Sequence, residues 1–313
     1  MRVLACPASL KGVLAATEAA AALAEGLRSG GAEAVELPVA DGGEGTAAVL
    51  ERVLGGAWAT ARVADAFGAE HEARWLLLPD GTAVVEAAAA VPLDPRRLDA
   101  LAASSRGFGQ LVAAALAERP RALALTLGGT ATMDGGAGLL EELPALSVPA
   151  RVLCDVRTTL WDAPRVFGPQ KGASPEDVLE LERRLRLRHE LVPFAELPGA
   201  GAAGGLGAAL ASLGAELVPG ATWVLEALDF RERAAGASLV VTGEGRVDAT
   251  TRTGKAPAAV VAAARELGVR CVVFGGVVAE PLPEVETRAL SGDPARAAAD
   301  LRALGHDLAA GGG

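Results

Sequence analysis

At 313 residues the chain exceeds the roughly 100–200 typical of one domain, so two domains, or one domain with a large insertion, are expected. A net charge of -10, with no run of lysine or arginine, leaves no cationic stripe able to track a phosphate backbone, which argues against nucleic acid as a partner. Val3 to Cys6 before Pro7 is too short for the apolar region of a signal peptide, and no stretch nears the ~18 apolar residues of a membrane span, so a cytoplasmic chain without a membrane partner is expected.

The chain opens as strand, loop, helix, strand: Arg2 to Cys6 is apolar, Pro7 to Leu14 reads as a loop, Thr17 to Arg28 is an Ala-rich helix, and Ala34 to Pro38 is extended. The loop Asp41-Gly42-Gly43-Glu44-Gly45-Thr46 leads into a helical pattern over Ala47 to Leu54, which puts its carboxylates at the carboxyl end of a strand, where open α/β sheets bind ligands. Extended runs at Thr60 to Ala64, Glu72 to Leu78 and Thr82 to Glu86, with the turn Pro79-Asp80-Gly81, predict an antiparallel element. A helix over Gly109 to Ala117, a buried strand Ala122 to Leu127, the loop Gly128 to Gly138 and a strand Ala150 to Cys154 ending at Asp155 follow. Pro175 to Arg188 and Ala208 to Leu213 read as helices, and Ser238 to Thr242, Ala256 to Leu267 and Val269 to Phe274 restore the β-loop-α-β rhythm. Ala297 to Leu308 is a final helix, and Gly311-Gly312-Gly313 is expected to be disordered.

Cys6, Cys154 and Cys271 lie in or beside apolar runs without the paired spacing of a zinc or redox motif, and His71, His189 and His306 are scattered. Any general base is therefore expected to be a carboxylate. Of 29 basic residues only Lys11, Lys171 and Lys255 are lysines, and each adjoins a glycine, a placement that suits single contacts to phosphate oxygens.

Three stretches combine glycines, whose backbone can approach an anion closely, with carboxylates able to hold Mg²⁺ or take a proton. They are Asp41 to Glu44, Gly128 to Gly136 with Asp134, and Thr242 to Asp248 with Glu244 and Arg246, all read as loops at strand ends; Asp155, directly after a strand, adds one more carboxylate. Gly199-Ala200-Gly201-Ala202-Ala203-Gly204 fits the dinucleotide fingerprint, but Pro198 and the polar segment before it speak against a preceding buried strand. Phe167 to Gly172 presents Gln170 and Lys171 together.

Taken in order, Pro38 to Thr46, Phe167 to Gly172, Pro198 to Gly207 and Thr242 to Asp248 with Gly254-Lys255-Ala256-Pro257 closely resemble the bacterial glycerate kinase family with two unlike α/β domains. The resemblance spans nearly the whole chain. It implies an α/β fold with a flavodoxin- or Rossmann-like parallel domain, taken as 1–57 plus 235–313, and an inserted domain with a mixed sheet, taken as 58–234. It also implies transfer of the γ-phosphoryl group of ATP to D-glycerate with Mg²⁺, giving mainly 2-phosphoglycerate, with 3-phosphoglycerate the alternative. The first loop departs from the family's Ala-Pro-Asp-Ser-Phe-Lys-Gly by carrying Ala8 for the aspartate, Met133 and Thr158 stand where the family has asparagine, and several connections are shorter.

On that resemblance Asp41 and Glu44 or Asp155 are expected to hold Mg²⁺, and Asp134 or Asp248 to accept the hydroxyl proton. Lys11, Lys171 and Lys255 would contact phosphates and Arg246 the glycerate carboxylate, with Ser9, Gln170 and Glu244 also on the substrate. Gly42, Gly43, Gly201, Gly204 and Gly205 would approach the nucleotide. A homodimer is left open. The competing readings are a non-catalytic glycerate or nucleotide binder, motivated by Ala8 and the shortened segments, and an NAD-dependent oxidoreductase using Gly199 to Gly204.

Overall fold

The computed structural model describes residues 1–252, 254–282 and 284–311; the disorder expected at Gly312 and Gly313 lies outside them. The described strands are β1 (Arg2–Pro7), β2 (Glu33–Glu36), β3 (Ala57–Ala64), β4 (Glu70–Leu77), β5 (Thr82–Glu86), β6 (Ala122–Thr126), β7 (Ala150–Cys154), β8 (Glu216–Pro219), β9 (Leu239–Val247), β10 (Arg270–Val278) and β11 (Glu286–Ala289). The chain divides into two compact units, one of 1–41, 48–53 and 221–313, the other of 42–47 and 54–220.

The first unit is built on a five-stranded sheet in the order β2-β1-β9-β10-β11, with every pair parallel. Numbered within the unit this is the 2-1-3-4-5 order of flavodoxin-like folds. Its central strands read as continuous apolar runs because both faces are covered: on one, Val3, Ala5, Val241, Val272 and Phe274 pack with Leu23 and Leu27 of the helix Ala16–Ser29 and Leu301 of the helix Ala297–Ala310, and on the other Val247 and Val273 pack with Val261 of the helix Ala256–Glu266. Those two helices meet where Gly26 and Gly305 remove side chains; a Cβ on Gly26 would lie 2.0 Å from the Arg302 carbonyl oxygen.

The second unit carries a six-stranded mixed sheet in the order β3-β4-β5-β6-β7-β8, antiparallel from β3 to β5 and parallel from β5 to β8. The Pro79 to Gly81 turn joins β4 to β5, with the Leu78 amide donating to Thr82 across it. Val85, Leu123, Leu125 and Val152 form the core with Phe108, Leu111 and Val112 of the helix Arg106–Ala117.

Two short strands, β8 and β11, escape a sequence reading because each is only four residues long with half-exposed positions. The larger difference is β9. Thr242 to Asp248, expected to be a loop, is extended through Val247 because Gly275 and Val277 of β10 pair with Glu244 and Arg246. Its glycines permit close approach: a Cβ on Gly243 would lie 2.2 Å from the Phe274 carbonyl oxygen. Among the described residues no helix is long and apolar enough to cross a membrane.

Candidate active site

In the 2-1-3-4-5 order the chain leaves β1 toward β2 on one side and β9 takes the other, so the β1/β9 carboxyl ends form the topological switch point where such sheets bind ligands. The Ala8 amide continues the pairing beyond β1 by donating to the Gly243 carbonyl at 2.8 Å. The chain then turns tightly, closed by a bridge between Leu10 and Leu14 with Gly12 at a φ of +76°, and leaves Ser9 and Lys11 exposed. From β9 the period-two alternation of a strand sends Glu244, Arg246 and then Asp248 to one face, while Gly243, Gly245 and Val247 face the other way. Ser9, Lys11, Glu244, Arg246, Asp248 and Lys255 line one cavity of about 370 Å³, a size that suits a small molecule.

The charges in this cavity are cross-linked. Lys255 precedes the helix Ala256–Glu266 as its N-cap residue, and its Nζ lies 3.1 Å from Glu244 Oε2. Thr251 Oγ1 donates to the other Glu244 oxygen at 2.7 Å. Arg246 Nε donates to Asp248 Oδ2 at 3.1 Å, and the backbone N–H and hydroxyl of Thr250 donate to Asp248 Oδ1 at 2.9 and 2.6 Å. The Thr250 hydroxyl, the Thr250 amide, Arg246 and the nearby Lys255 together hold the Asp248 carboxyl below its ordinary value, so it is ionised at neutral pH. Lys11 pairs with no carboxylate among the described residues. The wall also contains backbone in place of side chains: a Cβ on Gly276 would lie 2.7 Å from the Gly245 carbonyl oxygen. Three cations share the cavity with four carboxylates, Glu244, Asp248, Asp293 and Asp300; Arg246 and Lys255 are already paired with Asp248 and Glu244, and Lys11 beside exposed main chain is the cation left to meet a small, anionic, hydroxylated ligand.

Asp41 belongs to the same sheet end. The segment after β2 runs on beside β1, with Leu37 N donating to Ala5 O and Val39 N to Pro7 O, so Asp41 follows just beyond the carboxyl edge, half-buried.

In the second unit the parallel strands β5, β6 and β7 end at Glu86, at the Gly128 to Gly138 loop and at Asp155. The loop Gly42 to Ala47 lies against these ends. A Cβ on Gly42 would meet Leu153 Cβ at 2.8 Å, one on Gly128 would meet Gly43 Cα at 2.9 Å, and one on Gly129 would meet Glu44 Oε2 at 3.0 Å. Gly42 and Gly43 are buried, and at Gly42 the space of a side chain is taken by Leu153 Cβ and Gly220 Cα. Glu44 is exposed and Asp155 half-buried. Among the described residues no three His, Cys, Asp or Glu side chains gather to cage a metal.

Five other expected site residues, Asp134, Lys171, Gly201, Gly204 and Gly205, are engaged by the protein itself. The Asp134 carboxylate accepts from the Ser105 amide and hydroxyl at 2.8 Å each, from Gly136 N at 3.0 Å and from Gly138 N at 3.1 Å, which ties the loop to the start of the helix Ala137–Glu142. Lys171 is 4% exposed, and its ammonium donates to the Thr132 carbonyl at 2.8 Å inside that same loop. Burial pushes the Lys171 pKa down to about 7 against the opposing pull of Asp134. Gly204 and Gly205 are buried with φ of +71° and +104°, and a Cβ on Gly204 would sit 2.3 Å from the Thr132 carbonyl oxygen. Gly201 packs likewise on Thr159, and Gln170 is exposed on the turn Pro169–Lys171. The residues before Gly199 form a 3₁₀ turn, His189–Phe194, and the strand that a dinucleotide fingerprint requires is missing there, which removes the NAD reading.

Comparison with known proteins bears on what this site belongs to. The model of the glycerate kinase family matches residues 3–150 and 144–293, which together span nearly the whole chain. This chain belongs to the glycerate kinase family. It is 37% identical to glycerate 2-kinase of Escherichia coli K12 over 85% of this chain and 82% of that one, and 36% identical to glycerate kinase of Bacillus subtilis 168 over 89% and 85%. A crystal structure of a provisionally named glycerate kinase 2 from Salmonella typhimurium LT2 superposes with a TM-score of 0.86 at 30% identity, covering 99% of this chain and 98% of that one. The protein is thus an enzyme of the kinase class.

The departures from the family pattern have local structural readings. Ala8 follows β1 directly, held by its backbone bond to Gly243. Met133, in place of the family's asparagine, is buried with Ala100, Ala163 and Leu181 and does apolar packing. The Thr158 carbonyl accepts from Gly201 N at 3.0 Å, a contact that needs no asparagine side chain.

Proposed function

We propose that the enzyme transfers the γ-phosphoryl group of ATP to D-glycerate, forming 2-phosphoglycerate, and that the β1/β9 switch-point cavity of the first unit takes the anionic substrate. The observation that carries this is the convergence of Ser9, Lys11, Glu244, Arg246, Asp248 and Lys255 on one small cavity in a chain of the glycerate kinase family. The 2-position is favoured by the likeness to a protein named glycerate 2-kinase.

Phosphoryl transfer asks a protein mainly to align the reactants and to neutralise charge on the transferred group. In this reading Lys11 and Lys255 contact phosphate oxygens, and Arg246 takes the glycerate carboxylate. Asp248 receives the hydroxyl proton in preference to Asp134, because Asp248 lines the cavity and the Asp134 carboxylate is tied into its own loop. The low affinity of Asp248 for a proton is compatible with a loose transition state in which the hydroxyl acidifies late. Glu244 holds Lys255 in place and Ser9 offers a hydroxyl at the cavity mouth.

Mg²⁺ prefers oxygen ligands and commonly takes only one or two carboxylates, completing its shell with phosphates and water. That demand is compatible with separate carboxylates, and Asp41, Glu44 and Asp155 are the candidates. Bound there, the ion would neutralise phosphate charge.

The test is a coupled assay with ATP, Mg²⁺ and D-glycerate, followed by enolase with and without phosphoglycerate mutase. Signal without mutase supports 2-phosphoglycerate; signal only with mutase means 3-phosphoglycerate, and no signal in either arm defeats the proposal.

A further inference from the structure

The side chain that governs the Gly42 to Ala47 loop lies outside every motif that the sequence singles out. Glu86 closes β5, and its carboxylate Oε1 accepts from the Ala47 amide at 2.9 Å, across 39 residues of sequence. The Gly45 amide bonds to it as well. The first turn of the helix Thr46–Leu54 carries no acidic residue of its own, so Glu86 supplies from a neighbouring strand the negative group that such an N-terminus favours. Thr126, its register partner on β6, has a buried hydroxyl with no hydrogen-bond partner, so the Glu86 contacts go to the loop and not across the strands. Within the loop the Thr46 hydroxyl donates to the Gly43 carbonyl at 2.8 Å, and Gly42 against Leu153 and Gly128 against Gly43 add close packing; Glu86 is the side chain that ties the loop to β5.

We propose that Glu86 is a positioning residue: it fixes the Gly42 to Ala47 loop, and with it the Glu44 carboxylate, in the orientation used for phosphoryl transfer. The last clause rests on the functional reading above; the anchoring of the loop does not. Burial pushes the Glu86 carboxyl up from its ordinary value, with Glu44 adding to the effect, while the Ala47 and Gly45 amides and Arg74 oppose it. Glutamine keeps an oxygen that can accept from the Ala47 amide, whereas alanine removes every acceptor.

The experiment compares wild type, Glu86→Gln and Glu86→Ala by amide hydrogen exchange and by steady-state kinetics with ATP, Mg²⁺ and D-glycerate. In Glu86→Ala, exchange at residues 43–47 should rise at least tenfold while the β6 and β7 amides keep their protection, and kcat should fall on the order of 100-fold, the cost of misplacing a catalytic group by about an ångström. In Glu86→Gln both readouts should return to within a few-fold of wild type. Unchanged exchange at 43–47 in Glu86→Ala would overturn the anchoring. Local loosening with unchanged kcat would overturn the link to catalysis, and equal damage in both variants would show that the charge, not the acceptor, is required. A wild type without kinase activity would defeat the functional reading and leave the exchange result to stand alone.

Discussion

Replacing Lys171 by methionine isolates the energetics of a buried charge. The ammonium is 4% exposed, its one hydrogen bond goes to the Thr132 carbonyl at 2.8 Å, and burial lowers its pKa from 10.5 to about 7. Between about pH 7 and the ordinary lysine value the unfolded chain therefore holds a proton that the folded chain lacks, and the stability of the wild type rises with pH across that window. Below about pH 7 both states are protonated, and the folded state carries the full cost of the buried charge. At about 1.4 kcal/mol per unit, and with the group half-titrated at the start, the gain from pH 7 to pH 9 is about 2 kcal/mol. Methionine does not titrate, so the wild type should gain about that amount relative to Lys171→Met between pH 7 and pH 9, while the stranded Thr132 carbonyl adds a pH-independent offset of about 1–3 kcal/mol against the variant and relief from the buried charge favours it at the low end. Urea unfolding followed by tryptophan fluorescence at pH 6, 7 and 9 measures it, since Trp58, Trp75 and Trp161 all report the unit that contains Lys171. A difference that stays flat from pH 6 to pH 9 would refute the buried-charge account.

Asp134→Ala should lower stability by about 3 kcal/mol, because Ser105 and the Gly136 and Gly138 amides lose their acceptor; an unchanged melting temperature with lost turnover would return Asp134 to a chemical role. Asp248→Asn should reduce kcat on the order of 10²-fold with little change in melting temperature, and turnover within a factor of two of wild type would remove Asp248 as proton acceptor. Thr126→Val should be neutral or stabilising by about 1 kcal/mol, since the buried hydroxyl has no partner to lose; a clear drop in thermal stability would show a bond that the structure does not contain.

Several element boundaries were legible locally. Arg2 to Cys6, Ala150 to Cys154 and the Pro79 to Gly81 turn announce themselves through apolar runs and turn residues, whose preferences act over a few positions. The E-x-R-x-D alternation from Glu244 to Asp248 was equally available as a period-two signal, but Gly243 and Gly245 point to a loop until Gly275 and Val277 are seen to pair with it. The long glycine motifs also pointed to ligand contact. At Gly42, Gly201 and Gly204 the space that a side chain would fill is taken by the protein itself, and no local pattern distinguishes those two uses of glycine.

The family, the α/β class and the set of chemically capable side chains were thus contained in the sequence alone, because motif identity and hydrophobic period are properties of short stretches of chain. The assignment of roles among them required the tertiary structure. Lys11 and Lys171 are each followed by a glycine, yet one stands exposed at a switch point and the other is sealed beneath a loop. Asp134 and Asp248 each follow a glycine-containing run, yet the first is surrounded by four donors that stabilise a turn and the second faces a cavity. Burial and hydrogen-bond partners arise from residues tens to hundreds of positions away, and those partners determine whether a charge serves the fold or the reaction.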